Sequence, residues 1–196
     1  MNLANKLTMS RIALTFVFMF FLFSGGIAAK VTAFVVFSIA SLTDMLDGLV
    51  AKGTKSVTDF GKLMDPIADK ILVLAAFVAF VEMKIIPGWM VVVITLREFL
   101  ITGLRVLALT KGRVIPASEG GRHKTVSQFA AIFVILLFVV VREMSEKGIV
   151  LWFSGMESAY RGVIYLFMLV TVILTTISGV SYLIRNKEVY LNAKAG

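Results

Sequence analysis

"TDMLDGLVAKGTKSVTDFGKLMDPIADK", residues 43–70, contains every aspartate of the chain: Asp44, Asp47, Asp59, Asp65 and Asp69. Apolar sequence runs up to both ends of this stretch. Only 13 uncharged residues separate Lys30 from Asp44, and only 11 separate Lys70 from Glu82. Neither run crosses the ~30 Å hydrocarbon core of a bilayer at about 1.5 Å per helical residue. Each becomes long enough when the helix also takes in its aspartates, which predicts helices over 31–52 and 61–83. The carboxylates then sit at or inside a membrane boundary, not on a free loop.

The rest of the chain fits that reading. Of its 196 residues 59% are hydrophobic and 16% charged, against about 25% charged in soluble domains. Uncharged runs of 23, 18 and 17 residues cover 162–184, 12–29 and 125–141, each near the ~20 residues of a spanning helix. A further span over 85–110 carries Arg97, Glu98 and Arg105. The expectation is an all-α, polytopic membrane protein with six transmembrane helices and a short N-terminal interfacial helix, built as a single domain over 1–196. The N-terminal run is long for a signal-peptide core and is read as the first span. With no cysteine, disulfides, thiolate nucleophiles and zinc–thiolate sites are excluded.

Basic residues orient the spans. With the N-terminus in the cytoplasm, 15 of the 20 lysines and arginines fall on the cytoplasmic side; Lys30, Lys84, Arg142, Lys147 and Arg161 fall outside. That split obeys the positive-inside rule and places both termini and the aspartate segment in the cytoplasm. The net charge of +8 is then a matter of topology and anionic lipid, with no nucleic-acid partner required.

On helices, Asp44 and Asp47 are three apart and Asp65 and Asp69 four apart, so each pair shares a face. Four ionised carboxylates converging at a membrane rim repel one another unless a cation joins them. All-oxygen ligands favour Mg²⁺, Mn²⁺ or Ca²⁺, and four carboxylates suffice for two ions, the arrangement that clamps both oxygens in phosphoryl transfer. The plainer reading makes Asp65 the N-cap of a helix with Pro66 in its first position, and pairs Asp44 with Lys52 or Lys70. Asp59 reads as a solvated loop residue beside Lys55 and Lys62.

The spacing Asp44-x2-Asp47-Gly48-x2-Ala51-Lys52-x8-Gly61-x3-Asp65-x3-Asp69 resembles the signature of the CDP-alcohol phosphatidyltransferases, D-x2-D-G-x2-A-R-x8-G-x3-D-x3-D. Lys52 stands where the family has arginine; it keeps the charge and loses the planar two-pronged donor. The resemblance implies a six-helix fold, a homodimer, and a polar cavity open to the cytoplasm of a bacterial inner membrane. It implies two Mg²⁺ or Mn²⁺ ions on Asp44, Asp47, Asp65 and Asp69, with Asp69 also the base for the attacking hydroxyl. Gly48, Ala51, Lys52 and Gly61 would contact a CDP-linked lipid; Gly48 and Gly61 also suit close helix packing. "NLANKLTMSRI" is similar to the family's N-x-P-N-x-x-T-x-x-R opening, with Ala4 for proline, which would bring Asn5 and Thr8 to the lipid head group, joined by Thr58.

The acceptor alcohol has to be read elsewhere. "REFLITGLR", 97–105, places two arginines in a span, where Glu98 answers one charge and not both. "GGRHKTVSQ", 120–128, brings Arg122, His123 and Lys124 to the mouth of the fifth span, with His123 read as interfacial. Cations beside a carboxylate–metal site suit a phosphorylated acceptor. Both segments resemble phosphatidylglycerophosphate synthases, where "REF-x-x-T-G-L-R" and "G-K-x-K-T-x-x-Q" recur; Arg122 replaces the first lysine. The implied reaction joins CDP-diacylglycerol to sn-glycerol 3-phosphate, with Arg97, Arg105 and Lys124 on the acceptor phosphate. A sister transferase using inositol phosphate or serine, and a divalent-cation transporter, are the competing readings.

Overall fold

A backbone in hydrocarbon finds no water to bond, so apolar runs of this length fold as helices, which satisfy their own amides. The computed structural model describes the backbone of residues 3–50, 59–110, 120–151 and 153–191, and the side chains of 9–43, 70–108, 124–151, 153 and 155–190. Within them lie seven helices and no strand: α1 (Leu3–Phe23), α2 (Ile27–Val50), α3 (Asp59–Glu82), α4 (Gly88–Thr110), α5 (Gly120–Glu146), α6 (Ser154–Arg185) and α7 (Lys187–Leu191).

Three local expectations change. No separate interfacial helix precedes the first apolar run, because Leu3–Phe23 is one continuous helix. Asp59, expected in the loop, is the first residue of α3. Pro66 therefore lies inside α3 and not at its first position, so capping no longer accounts for Asp65. A proline there donates no amide hydrogen to the preceding turn, a local cost that packing has to offset. The short α7 had no counterpart in the sequence reading.

Tight reversals join the helices on the side away from the aspartates. α5 ends with Gly148 at φ 73°, the left-handed geometry glycine adopts without penalty. Ile149 N–H donates to Met144 O at 3.0 Å and Gly148 N–H to Ser145 O at 2.8 Å, the paired bonds of a Schellman cap. α3 ends in the same motif, with Ile85 N–H on Phe80 O and Lys84 N–H on Val81 O, both at 2.9 Å. Its left-handed position is held by Lys84, at φ 56°. Between α1 and α2 the Lys30 ammonium donates to Leu22 O at 2.7 Å, and Gly26 N–H donates to the Glu143 carboxylate of α5 at 2.8 Å.

α3 touches α1, α2, α4 and α5, while α6 lies against both α4 and α5. The shared core is aromatic and aliphatic: Phe18, Phe37, Phe77, Phe80, Phe138, Met90, Ile94, Ile132 and Ile135 are all fully buried. Phe37 binds the layers, its ring 5.4 Å from that of Phe18 and 5.5 Å from that of Phe133. The outer faces are apolar too. Phe16, Phe20, Leu96, Phe99, Leu166 and Ile177 are each more than half exposed. Helices apolar on both faces suit a hydrocarbon surround. Among the described residues, Lys124–Glu146 and Gly155–Arg185 are long and apolar enough to cross a membrane, and Met9–Phe23 and Ile27–Thr43 are shorter apolar segments.

Candidate functional site

α3, α4 and α5 enclose a cavity of about 160 Å³. Its wall has two layers, because each helix contributes residues four apart that stack on one face. Lys70, Glu98 and Lys124 form the layer nearer the aspartates; Leu74, Ile94 and Gln128 lie one turn deeper, with Thr125 above Phe129. The direction of each helix fixes this order. α3 and α5 run away from the aspartate end, so their charged residues come first; α4 runs toward it, so Glu98 follows Ile94.

Glu98 holds the charged layer together. Its carboxylate accepts from Lys124, lies 3.2 Å from Arg97 Nη1 and lies 3.4 Å from Lys70 Nζ. Lys70 also donates to Glu98 O at 3.1 Å and to the hydroxyl of Thr102. Arg97, Glu98 and Lys124 are buried, at 8%, 7% and 9% exposure. Among the described residues, three cations meet one carboxylate, an excess of positive charge. Buried surplus charge is costly without a counter-ion, and the site as built favours an anionic ligand.

α6 fixes Arg97 from behind. Ser178 Oγ accepts from Arg97 Nη2 at 2.9 Å. At Gly179 an added Cβ would lie 2.8 Å from Arg97 Cγ, so the absence of a side chain makes room for the arginine stem. Thr171, one face of the same helix further on, donates to Ser127 O at 3.1 Å and ties α6 to α5. Arg97 Nε and Gln128 Nε2 are buried and without a hydrogen-bond partner.

Of the acceptor cations expected from sequence, Arg97 and Lys124 meet at Glu98. Arg105, eight residues further along α4, is exposed; the cations that line the cavity are Lys70 and Lys124, with Arg97 behind Glu98. Lys70, Thr102, Gln128, Ser178 and Gly179 were not anticipated. Lys70 adjoins Asp69, and Thr102 and Gln128 stand at fixed positions of the two acceptor segments quoted above, which were the available signals; nothing local marked Ser178 or Gly179. The Asp44, Asp47, Asp65, Asp69, Asn5, Thr8, Arg122 and His123 side chains and the surroundings of Gly48 and Gly61 lie outside the described residues, as do Ala51, Lys52 and Thr58 altogether.

The backbone does supply the register those aspartates need. α2 stays helical through Val50 and α3 from Asp59, so the three- and four-residue spacings fall on real helices that touch one another. Four carboxylates in a chain without a single thiol are hard oxygen donors, a set that fits Mg²⁺ or Mn²⁺.

The chain has relatives. The family model described as CDP-alcohol phosphatidyltransferase matches residues 1–177. The chain is 35% identical over 202 aligned positions to the CDP-diacylglycerol–glycerol-3-phosphate 3-phosphatidyltransferase of Bacillus subtilis, covering 95% of this chain and 96% of that one. It is 34% identical over 189 positions to the protein of the same name in Rickettsia prowazekii, covering 92% and 93%. A probable phosphatidylglycerophosphate synthase of Mycobacterium tuberculosis is 42% identical over 139 positions, covering 69% of this chain and 66% of the relative.

Proposed function

Because this chain belongs to the CDP-alcohol phosphatidyltransferase family, we propose that it transfers the phosphatidyl group of CDP-diacylglycerol to sn-glycerol 3-phosphate, giving phosphatidylglycerophosphate and CMP. The observation that carries the acceptor is the excess of cations around Glu98 among the described residues: buried Arg97 and Lys124 with half-buried Lys70, which follows Asp69. A phosphate dianion balances that excess; serine and plain glycerol do not. The names of the relatives point to the same acceptor.

In this reading Asp44, Asp47, Asp65 and Asp69 hold two divalent cations, Mg²⁺ or Mn²⁺. When bound, such ions neutralise the diphosphate and stabilise the departing CMP. Asn5, Thr8, Gly48, Ala51, Lys52, Thr58 and Gly61 form the CDP-lipid subsite. Arg97, Lys124 and Lys70 orient the acceptor phosphate, and the exposed Arg105 draws the anion toward them. Asp69 accepts the proton of the acceptor's attacking hydroxyl, whose oxygen forms the bond to the β-phosphorus as the bond from that phosphorus to the bridging oxygen breaks and CMP leaves with that oxygen. The first six helices span the bacterial cytoplasmic membrane with both termini and the site on the cytoplasmic side, and the protein is a homodimer.

The test is an acceptor panel: purified protein, CDP-diacylglycerol in mixed micelles, CMP release as readout, and glycerol 3-phosphate, inositol phosphate, serine and glycerol as alcohols. Glycerol 3-phosphate should lead, and EDTA should abolish turnover until Mg²⁺ or Mn²⁺ is restored. Lys124→Gln removes a charge-assisted contact of about 1.5–3 kcal/mol, so KM for glycerol 3-phosphate should rise on the order of ten- to a hundredfold. KM for CDP-diacylglycerol should move far less. Faster release with another alcohol, or full turnover in chelator, overturns the reading.

A further inference from the structure

Gln128 is out of place in its layer. It is 6% exposed and shares the deeper wall of the cavity with Leu74, Ile94 and Phe129. Its Nε2 is buried with no hydrogen-bond partner. An amide hydrogen left unpaired in a bundle of this kind is destabilising, and a leucine would fill the layer without that cost. Side chains on a helix lean toward its N-terminus, so on α5 the amide leans toward Lys124, one turn back. A free donor therefore lies just beneath the cations, in a cavity of about 160 Å³, room for a few waters or a small polar molecule.

We propose that Gln128 is a specificity-determining residue that donates from Nε2 to the secondary hydroxyl of a phosphorylated polyol acceptor. The proposal rests on the acceptor reading above and deepens it. The cations recognise the phosphate and do not distinguish one phosphorylated alcohol from another. Gln128 supplies the missing discrimination, because an acceptor without that hydroxyl leaves the amide unpaired in the closed complex.

The experiment compares glycerol 3-phosphate with 3-hydroxypropyl phosphate, which keeps the phosphate and the primary hydroxyl and lacks the secondary one. With the full-length protein, CDP-diacylglycerol and Mg²⁺, kcat/KM should favour glycerol 3-phosphate by about ten- to a hundredfold, the range for a buried donor left unpaired. In Gln128→Leu and Gln128→Met the ratio should fall to within about threefold of one, from loss on glycerol 3-phosphate alone. KM for CDP-diacylglycerol should stay unchanged. Both variants should also unfold at a higher temperature than the parent in the absence of acceptor, since each removes the unpaired amide.

Equal use of both acceptors by the parent overturns the proposal. So does a ratio that survives in the variants, which would assign the amide to the phosphate, and so does a fall in thermal stability in both, which would make Gln128 a packing residue. If the parent releases no CMP with either acceptor, the acceptor reading itself has failed, a result distinct from all three.

Discussion

A methyl group added at position 179 would place its carbon 2.8 Å from Arg97 Cγ. That atom belongs to the arginine's stem, and its far end is tied to Ser178 and Glu98, so the stem cannot swing aside without breaking those contacts. Gly179→Ala should cost about 1–3 kcal/mol, the usual price of overpacking, read as a lower unfolding midpoint by circular dichroism. It should also raise KM for the acceptor more than KM for CDP-diacylglycerol, because Arg97 moves and the aspartates do not. Removing Glu98 is worse. Glu98→Gln leaves three cations facing one another, and loss of a buried partner costs about 3–5 kcal/mol; a parent-like unfolding midpoint in that variant would show the cluster to be hydrated and weakly coupled. The sequence displayed Arg97 and Lys124 as cations in or beside spans, but their convergence on Glu98 from two helices could not be read from spacing. Adjacent residues on a helix do not face each other, so "RE" alone gave no sign that Glu98 gathers charge from α3 and α5 as well.

Among the elements, α3 shows how far helical signals carry. Its apolar run is short, and the requirement of membrane-spanning length correctly forced the helix back through the aspartates. Pro66 then suggested a start near Asp65, whereas the helix begins at Asp59; packing against four neighbours outweighs one missing hydrogen bond. At the other end, Lys84 occupies a left-handed position that glycine holds in the matching cap of α5. Left-handed geometry costs a side-chain-bearing residue about 1–2 kcal/mol, partly offset by the extra chain entropy glycine loses on folding. Lys84→Gly should therefore stabilise by about 0.5–1 kcal/mol, raising the unfolding midpoint without altering CMP release. A lowered midpoint would mean that the lysine side chain contributes more than its backbone strain.

For the whole molecule, the absence of cysteine makes single introduced thiols unambiguous reporters of sidedness. In intact cells an impermeant maleimide should label Lys147→Cys, in the exposed turn after α5, and should leave Thr58→Cys untouched until the membrane is permeabilised. Labelling of both, or the reverse pattern, would overturn the orientation drawn from the 15 basic residues assigned inside. Surface and interior are both apolar here, so the amphipathic stripe that ordinarily tells a helix which way to face is weak. Rotation of each helix about its axis had to come from tertiary packing.

Composition and uncharged run length determined that this chain is helical and suited to a membrane, because continuous apolar runs of 17–23 residues match a spanning helix and not the short, alternating strands of a closed barrel. The spaced aspartate motif pointed to the family by its resemblance to the family signature, and the family match over residues 1–177 agrees with it. Only the tertiary structure decided that Lys70 and Lys124 share a cavity, that Glu98 is their common partner with Arg97, and that Gly179 leaves room for the stem of that arginine. Those facts depend on contacts between residues 26 to 82 positions apart, where the sequence records each residue's chemistry and the packing of four helices decides what it meets.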